Sequence, residues 1–318
     1  MAVTLDDLKG NKQLADRTFR GATLMGGTAI AVILGLISWT IASKSSLAFR
    51  TEGLSFFTER RWAPADNVFG ALSFIYGTAV TALIAVVLAV PVSLGIALFT
   101  THVAPGWLKR PLVAMTDLVA VVPSVVFGLW GIIFLAPKLV PVFTKLSSWS
   151  HGIPILGSIF GKASAGRTFM TAGLILALMI IPIITSISRE VILTCPPTDS
   201  DGALALGATR WEMITGAVLT HSAGGIVGAV MLGLGRAMGE TIAAALVIGS
   251  SPAITANLFS SGDSLPSVIA FEWGEATSDT KRSALIAMGL TLFLMTLLVN
   301  FIANYVVNRA MKRMRGES

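Results

Sequence analysis

The chain has 318 residues, of which 54% are apolar and 13% charged, with a formal net charge of +6. An average soluble domain carries about 25% charged residues. A mean hydropathy of +0.78 leaves too few polar groups to cover a globular surface, which argues against a soluble enzyme, a disordered protein and a nucleic-acid binder.

A spanning helix needs about 20 apolar residues to cross a hydrocarbon core roughly 30 Å thick, and six stretches qualify. The first, Gly21–Ser43, is charge-free. It reads as a retained helix, because its apolar run exceeds that of a signal peptide and no Ala-x-Ala site follows. The second, Asn67–Thr101, is charge-free and longer than one helix needs, so its start stays open. The hydroxyls of Thr78 and Thr81 inside it are expected to bond to their own backbone. The third, Pro111–Pro137, contains one charge, Asp117, read as interfacial and structural. Ser124 follows Pro123 in this span. Proline frees a backbone carbonyl, which at membrane depth is tolerated within protein or at a cavity. Ser124 is therefore either a hydroxyl at a transport path or part of a packing kink.

Residues 137–167 read as an external loop. Leu54–Trp62 and Ile153–Phe160 are expected to form short helices that lie at the membrane face or pack against a partner. Trp62, Trp149 and Trp273 suit either the interfacial aromatic belt or plain loop packing. His102, His151 and His221 show no ligand spacing and read as loop residues. A single cysteine, Cys195, excludes an internal disulfide and a Cys-cluster metal site, and reads as inert.

The fourth span, Thr168–Ser188, leads into a structured connector. Pro196 and Pro197 stop the preceding helix. Thr198 three residues before Asp201 resembles a capping box, so a short helix is expected from about Asp199 to Leu206. Gly207 fits the position after a helix end, where a left-handed conformation costs glycine little. Thr209 and Glu212 repeat the cap pattern and open the next helix. The small residues Gly202, Ala203 and Ala205 would let a partner grip this helix in a groove.

The fifth span, Ala223–Ser250, holds Arg236 and Glu240. A charge at mid-membrane is costly and normally faces a bundle interior or a water-filled path. The two residues are four apart and so share a helix face, beside a glycine stripe of Gly224, Gly228, Gly235 and Gly239 that is expected to let another helix approach. One reading is an ion pair that locks the bundle. The other is a transport site. A guanidinium matches the oxygens of an oxyanion and stays protonated, and a nearby carboxylate keeps it from trapping the anion, since conduction needs binding weak enough to release. Thr241 adds a hydroxyl. The sixth span is Ser283–Asn308.

Six spans put both termini on one side. The basic pair Lys109–Arg110 and the tail Arg309, Lys312, Arg313 and Arg315 assign that side to the cytoplasm, although basic residues are nearly balanced in total. The chain divides into an N-terminal part (1–66), a transmembrane core (67–308) with the connector at 189–220, and a basic tail (309–318).

Four strings carry a family resemblance. They are Trp62-x-Pro64 with Phe69-Gly70 and Gly77-Thr78; the run 122–131, VPSVVFGLWG; the run 205–212, ALGATRWE; and the run 231–241, MLGLGRAMGET. The connector resembles the coupling (EAA) loop of ABC-importer permeases. The strings together resemble the phosphate-specific permease family of PstC type, from about residue 60 onward. The family's Glu-Ala-Ala is Asp201-Gly202-Ala203 here, and its closing proline is Thr220.

The resemblance implies an all-α membrane protein of about six helices, the MetI-like bundle of type I ABC importers with a cytoplasmic coupling helix. It implies a permease subunit of an ATP-driven inorganic phosphate importer in the bacterial plasma membrane. It further implies a PstA-type second permease, two PstB-type ATPases and an external PstS-type phosphate-binding protein, with surrounding lipid and no nucleic acid. It places Arg236, Glu240, Thr241 and Ser124 on the phosphate path, and Asp201, Gly202, Ala203, Gly207 and Arg210 at the ATPase contact.

The sequence has no Gly-x-x-x-x-Gly-Lys-Ser/Thr string; Gly161-Lys162 is followed by Ala163. The chain is thus expected to be no enzyme and to hold no cofactor, ATP and Mg²⁺ belonging to the partner ATPases. Rival readings are an ATP-independent secondary transporter or channel for an oxyanion, and a non-transporting sensor subunit. The ordered connector has no task in a secondary carrier, no internal repeat of the carrier kind is evident, and no sensor domain is recognisable.

Overall fold

The structure is a computed structural model that describes residues 5–163 and 165–314. Among these, six helical segments are long and apolar enough to span a membrane: Asp16–Glu52, Leu72–Val103, Ser124–Ser150, Phe169–Leu193, Arg210–Gly239 and Asp279–Tyr305. Of the basic tail, Arg315 and the residues after it lie outside the described residues.

Helix α1 (Leu5–Lys44) and the short α2 (Ser46–Glu52) form the first span. The apolar stretch of α1 is wholly unburied; its contacts fall on α2 and the last helix, α15 (Asp279–Met314). A third short helix, α3 (Ser55–Thr58), precedes a two-strand hairpin, β1 (Trp62–Ala63) and β2 (Val68–Phe69), with Trp62 paired to Phe69. The second span is α4 (Leu72–Leu98), extended by a π turn at Phe99–Val103.

The third and fifth spans depart from the sequence reading. Pro111–Pro137 is not one helix. Helix α5 (Gly106–Val121) stops because Val122 precedes a proline and is driven to extended backbone, ψ 125°. A new helix, α6 (Ser124–Trp130), then continues through a π turn into α7 (Ala136–Ser150). Residues 137–150, read as loop, therefore belong to the third membrane span, and the external segment shrinks to a short α8 (Pro154–Ile159) with its flanks.

The fourth span is α9 (Phe169–Leu193), the most buried of the six, followed by α10 (Pro197–Ala205) in the connector. The fifth span starts earlier than the hydropathy run. It comprises α11 (Arg210–Met213), a π turn at Ile214–Val218 and α12 (Leu219–Gly239). It breaks after Gly239. Glu240 is extended, and α13 (Ile242–Ile248) is a separate short helix. A further short helix, α14 (Leu265–Glu272), precedes α15.

The core lies where α4, α9 and α12 meet. Ala82, Ala85 and Ala89 of α4 pack with Leu176, Ala177, Ile180 and Ile184 of α9 and Ala229, Ala237 and Met238 of α12. Glycines allow the approach: Gly173 fits against Ile84, Gly233 against Ile184 and Gly225 against Val191. The expected stripe is corrected here. Gly228, Gly235 and Gly239 face open space with nothing within 4 Å of an added β-carbon. In α12 it is Gly225 and Gly233 that seat against α9.

At the end opposite the connector, Phe56, Phe69, Phe74, Leu265 and Met288 form a second cluster that ties the hairpin to α14 and α15. Trp62 is a packing residue rather than a belt residue. It meets Phe69 and Phe74 edge-on, and its Nε1 donates to Glu272 at 2.9 Å. Trp149 and Trp273 are exposed, as a belt role requires. Thr78 donates to Phe74 O, as expected, and also accepts the Leu265 N–H at 2.9 Å. One residue away, a β-carbon on Gly77 would run into the Asp263 carbonyl, whereas one on Gly95 of the same helix would meet nothing within 4 Å. The carbonyl belongs to backbone two residues before the Leu265 N–H that Thr78 holds, and cannot turn aside as a side chain would. Gly77→Ala should therefore destabilise by the roughly 1–3 kcal/mol typical of overpacking, and more than Gly95→Ala. Thermal unfolding of the solubilised complex measures the difference, and equal losses would mean that the segment around Asp263 yields.

Candidate translocation and coupling site

The broken spans three and five are packed side by side. Gly128 of α6 abuts Ala243 and Leu246 of α13, and one turn on, Gly131 abuts Val247. The two short helices thus advance in the same direction, and their starts, Ser124 and Ile242, lie at the same end. This places the Pro123–Ser124 break and the Glu240–Thr241 break at one level. Non-helical backbone at membrane depth requires burial in protein or a water-lined cavity.

Arg236 and Glu240 do not share a helix face, because the helix ends at Gly239. Arg236 sits in the last turn of α12 and is exposed. Gly228, Leu232, Gly235 and Gly239 surround it on the same uncovered face, so the guanidinium has room to move. Glu240 is buried, 9% exposed, and its Oε1 accepts the Ala243 N–H at 3.4 Å, capping the first turn of α13. Among the described residues no ion pair joins it to Arg236 within 4 Å. Thr241 is half-buried and its hydroxyl donates to Gly239 O at 3.3 Å. Ser124 is half-buried at the start of α6. The structure thus brings an exposed cation, a buried carboxylate and two hydroxyls to adjoining helix breaks. That set can contact an anion and release it, whereas a locked ion pair is not made.

At the other end, α10 begins with Pro197 at its first position, and the Thr198–Asp201 cap is not formed. The first-turn proline already fixes the backbone and needs no donor partner. Gly207 has φ +89°, the left-handed corner expected there. The Thr209–Glu212 capping box forms in both directions, with Glu212 Oε2 accepting the Thr209 N–H at 2.7 Å. Asp201, Gly202, Gly207 and Arg210 are exposed and Ala203 is half-buried. Hydropathy reading missed the apolar tip beside them: Leu206 is 91% and Trp211 68% exposed. Underneath, Ile192, Met213, Ile214, Val218 and Ile226 bury one another. The connector is therefore a fixed element with an uncovered apolar crown.

Two smaller readings are revised. His221 lies within α12, not in a loop, and His102 lies in the π turn that closes the second span. Asp117 is exposed on α5 and lines a cavity of about 490 Å³ with Lys109, Arg110, Arg189 and Glu190, at the connector end of α9. Burial first, then the neighbouring Asp199 carboxylate, pushes the Cys195 thiol up. Asp263, between α13 and α14, was missed because it lies outside any apolar run. Burial raises its carboxyl, against the lowering effect of the Ser264 N–H and the Ser267 hydroxyl.

Six membrane-spanning helical segments among the described residues, the fourth the most buried, with an ordered helix–glycine–helix connector before the fifth, define an ABC-importer permease. The chain matches the family described as "Binding-protein-dependent transport system inner membrane component" over residues 89–313. It is 42% identical to the phosphate transport system permease protein PstC of Xylella fastidiosa (strain Temecula1), with 89% of each chain covered. It is 40% identical to PstC of Mesorhizobium japonicum over 93% of this chain and 91% of that one, and 40% identical to PstC 2 of Mycobacterium tuberculosis over 92% and 91%. The chain belongs to this binding-protein-dependent transport family and to its PstC group of phosphate permeases. It is a multi-pass membrane protein.

The fold agrees with solved transporters. A chain of the bacterial alginate ABC transporter, in complex with its alginate-bound periplasmic protein, superimposes with a TM-score of 0.58 at 16% identity, covering 94% of this chain and 99% of that one. The inward-facing MetNI methionine transporter gives 0.50 at 16% identity, covering 76% and 94%. At these identities the likeness concerns the fold alone.

Proposed function

We propose that this chain forms one half of the membrane path of an ATP-driven inorganic phosphate importer. The carrying observation is Arg236, exposed on the glycine-lined open face of α12, at the break that presents Glu240 and Thr241. In this reading a PstA-type permease covers that face and closes the path. Arg236 then makes the passing contact with phosphate through its planar fork. Glu240, Thr241 and Ser124 supply the acceptor and hydroxyl groups that let the anion leave, as conduction demands.

Two PstB-type ATPases dock on the connector at Asp201, Gly202, Ala203, Gly207 and Arg210, and a PstS-type binding protein delivers phosphate at the opposite end. ATP and Mg²⁺ reside in the ATPases. The connector and both termini face the cytoplasm. The fixed Gly207 corner and the buried cluster beneath it support this, since a push on α10 is passed to α12 rather than absorbed. The test is labelled-phosphate uptake into vesicles holding the whole complex and its binding protein, with and without internal ATP. Uptake should require ATP. Uptake that follows an ion gradient and ignores ATP would sink the reading in favour of a secondary carrier.

A further inference from the structure

The connector carries a feature that neither transport nor docking uses. One ligand atom each of Cys195, Asp199 and His221 lie within 4.8 Å of one another. The three come from different elements: the turn after α9, the first turn of α10, and α12. We propose that they form a binding site for a borderline-soft divalent cation, with Zn²⁺ the best match. A thiolate, an imidazole and a carboxylate are the donors that Zn²⁺ takes, whereas Mg²⁺ and Ca²⁺ want oxygen alone.

Zn–S near 2.3 Å and Zn–N or Zn–O near 2.0–2.2 Å set tetrahedral ligand atoms roughly 3.3–3.7 Å apart. From the present separation, at most 4.8 Å, the ligand atoms have to close by no more than about 1.5 Å. Cys195 is half-buried while Asp199 and His221 are exposed, so an ion has access. Water fills the fourth position, as in open three-ligand sites.

The backbone beneath is held in register. Ser222, next to His221, is buried and donates to Val191 O at 3.5 Å, and Gly225 seats against Val191. On the other side Cys195 N–H donates to Ile192 O at 3.2 Å, and Asp199 N–H to Pro196 O at 3.1 Å. Donors mounted on such elements lose little freedom when they bind. A bound ion would strap α10 to α12 and slow any cycle in which they move. That consequence rests on α10 being the coupling helix; the binding does not.

Zn²⁺ has a filled d shell and is optically silent, so Co²⁺ is the probe. Titrated into the complete transporter in detergent, Co²⁺ should give a thiolate-to-metal band that saturates at one ion per copy of this chain and is displaced by Zn²⁺. Cys195→Ser should remove the band. His221→Gln and Asp199→Asn should weaken Co²⁺ binding about tenfold or more, at least the loss seen when groups behind a ligand are changed. No band beyond that of Cys195→Ser, or an affinity unmoved by His221→Gln, overturns the site. Zn²⁺ should also slow ATP-driven uptake in the native complex and not in Cys195→Ser. Binding without slowing would keep the site and overturn the strap, and would leave the transport reading untouched.

Discussion

Arg236→Gln should abolish most phosphate uptake while the complex still assembles and melts at its usual temperature. Arg236 touches no ion-pair partner among the described residues and stands exposed on the open face of α12, so the bundle does not depend on it. A hydrogen bond to a charged group contributes about 1.5–3 kcal/mol, which is a loss of roughly 10- to 100-fold in the step it supports. Arg236→Lys keeps the charge and loses the two-pronged geometry; it should fall between. Glu240→Gln retains an acceptor for the Ala243 N–H, so it should leave stability nearly unchanged and alter turnover. The decisive measurement is a double-mutant cycle. If the two residues act on phosphate separately from folding, their effects on melting add within about 0.3–0.5 kcal/mol, and their effects on uptake do not. A large coupling in stability would instead restore the idea of a bundle-locking pair.

The number of spans and the connector were legible because each rests on local chemistry. Apolar length decides a span, and Gly207, Thr209 and Glu212 act over three or four residues. What was not legible were the breaks inside spans. A hydropathy window averages over Val122–Pro123 and over Gly239–Thr241, so it cannot place a helix stop there. Pro123 was a signal that read as a kink. Glu240 stood out as a charge but gave no local sign of a helix stop, because that break goes with α13 packing against α6.

The glycines teach the same lesson. Gly225 and Gly233 pack and Gly228, Gly235 and Gly239 do not, although all five lie along one helix; only the positions of Val191 and Ile184 decide it. The convergence of Cys195, Asp199 and His221 was likewise hidden. Histidines counted by spacing along the chain show no pattern, and the link between the α9 turn and α12 exists only after the two are packed.

Leu206→Asp should uncouple the transporter without unfolding it. Leu206 stands almost fully exposed at the end of α10, so a carboxylate there disturbs no internal contact. A contiguous apolar tip on an otherwise polar segment marks a surface that another protein covers, and truncating a central contact of that kind typically costs about 2 kcal/mol or more. That predicts roughly a 30-fold weaker hold on the ATPases, read as loss of phosphate-stimulated ATP hydrolysis and as ATPase subunits lost during purification. Gly207→Val attacks the same lever from inside. At φ +89° a β-branched residue is strained, so the corner must open and α10 must swing relative to α11. This variant should keep ATPase binding more fully than Leu206→Asp yet transport less per ATP hydrolysed. The two variants thus separate grip from transmission. If both leave hydrolysis and uptake tied together as in the native complex, α10 is not the element through which ATP moves this bundle.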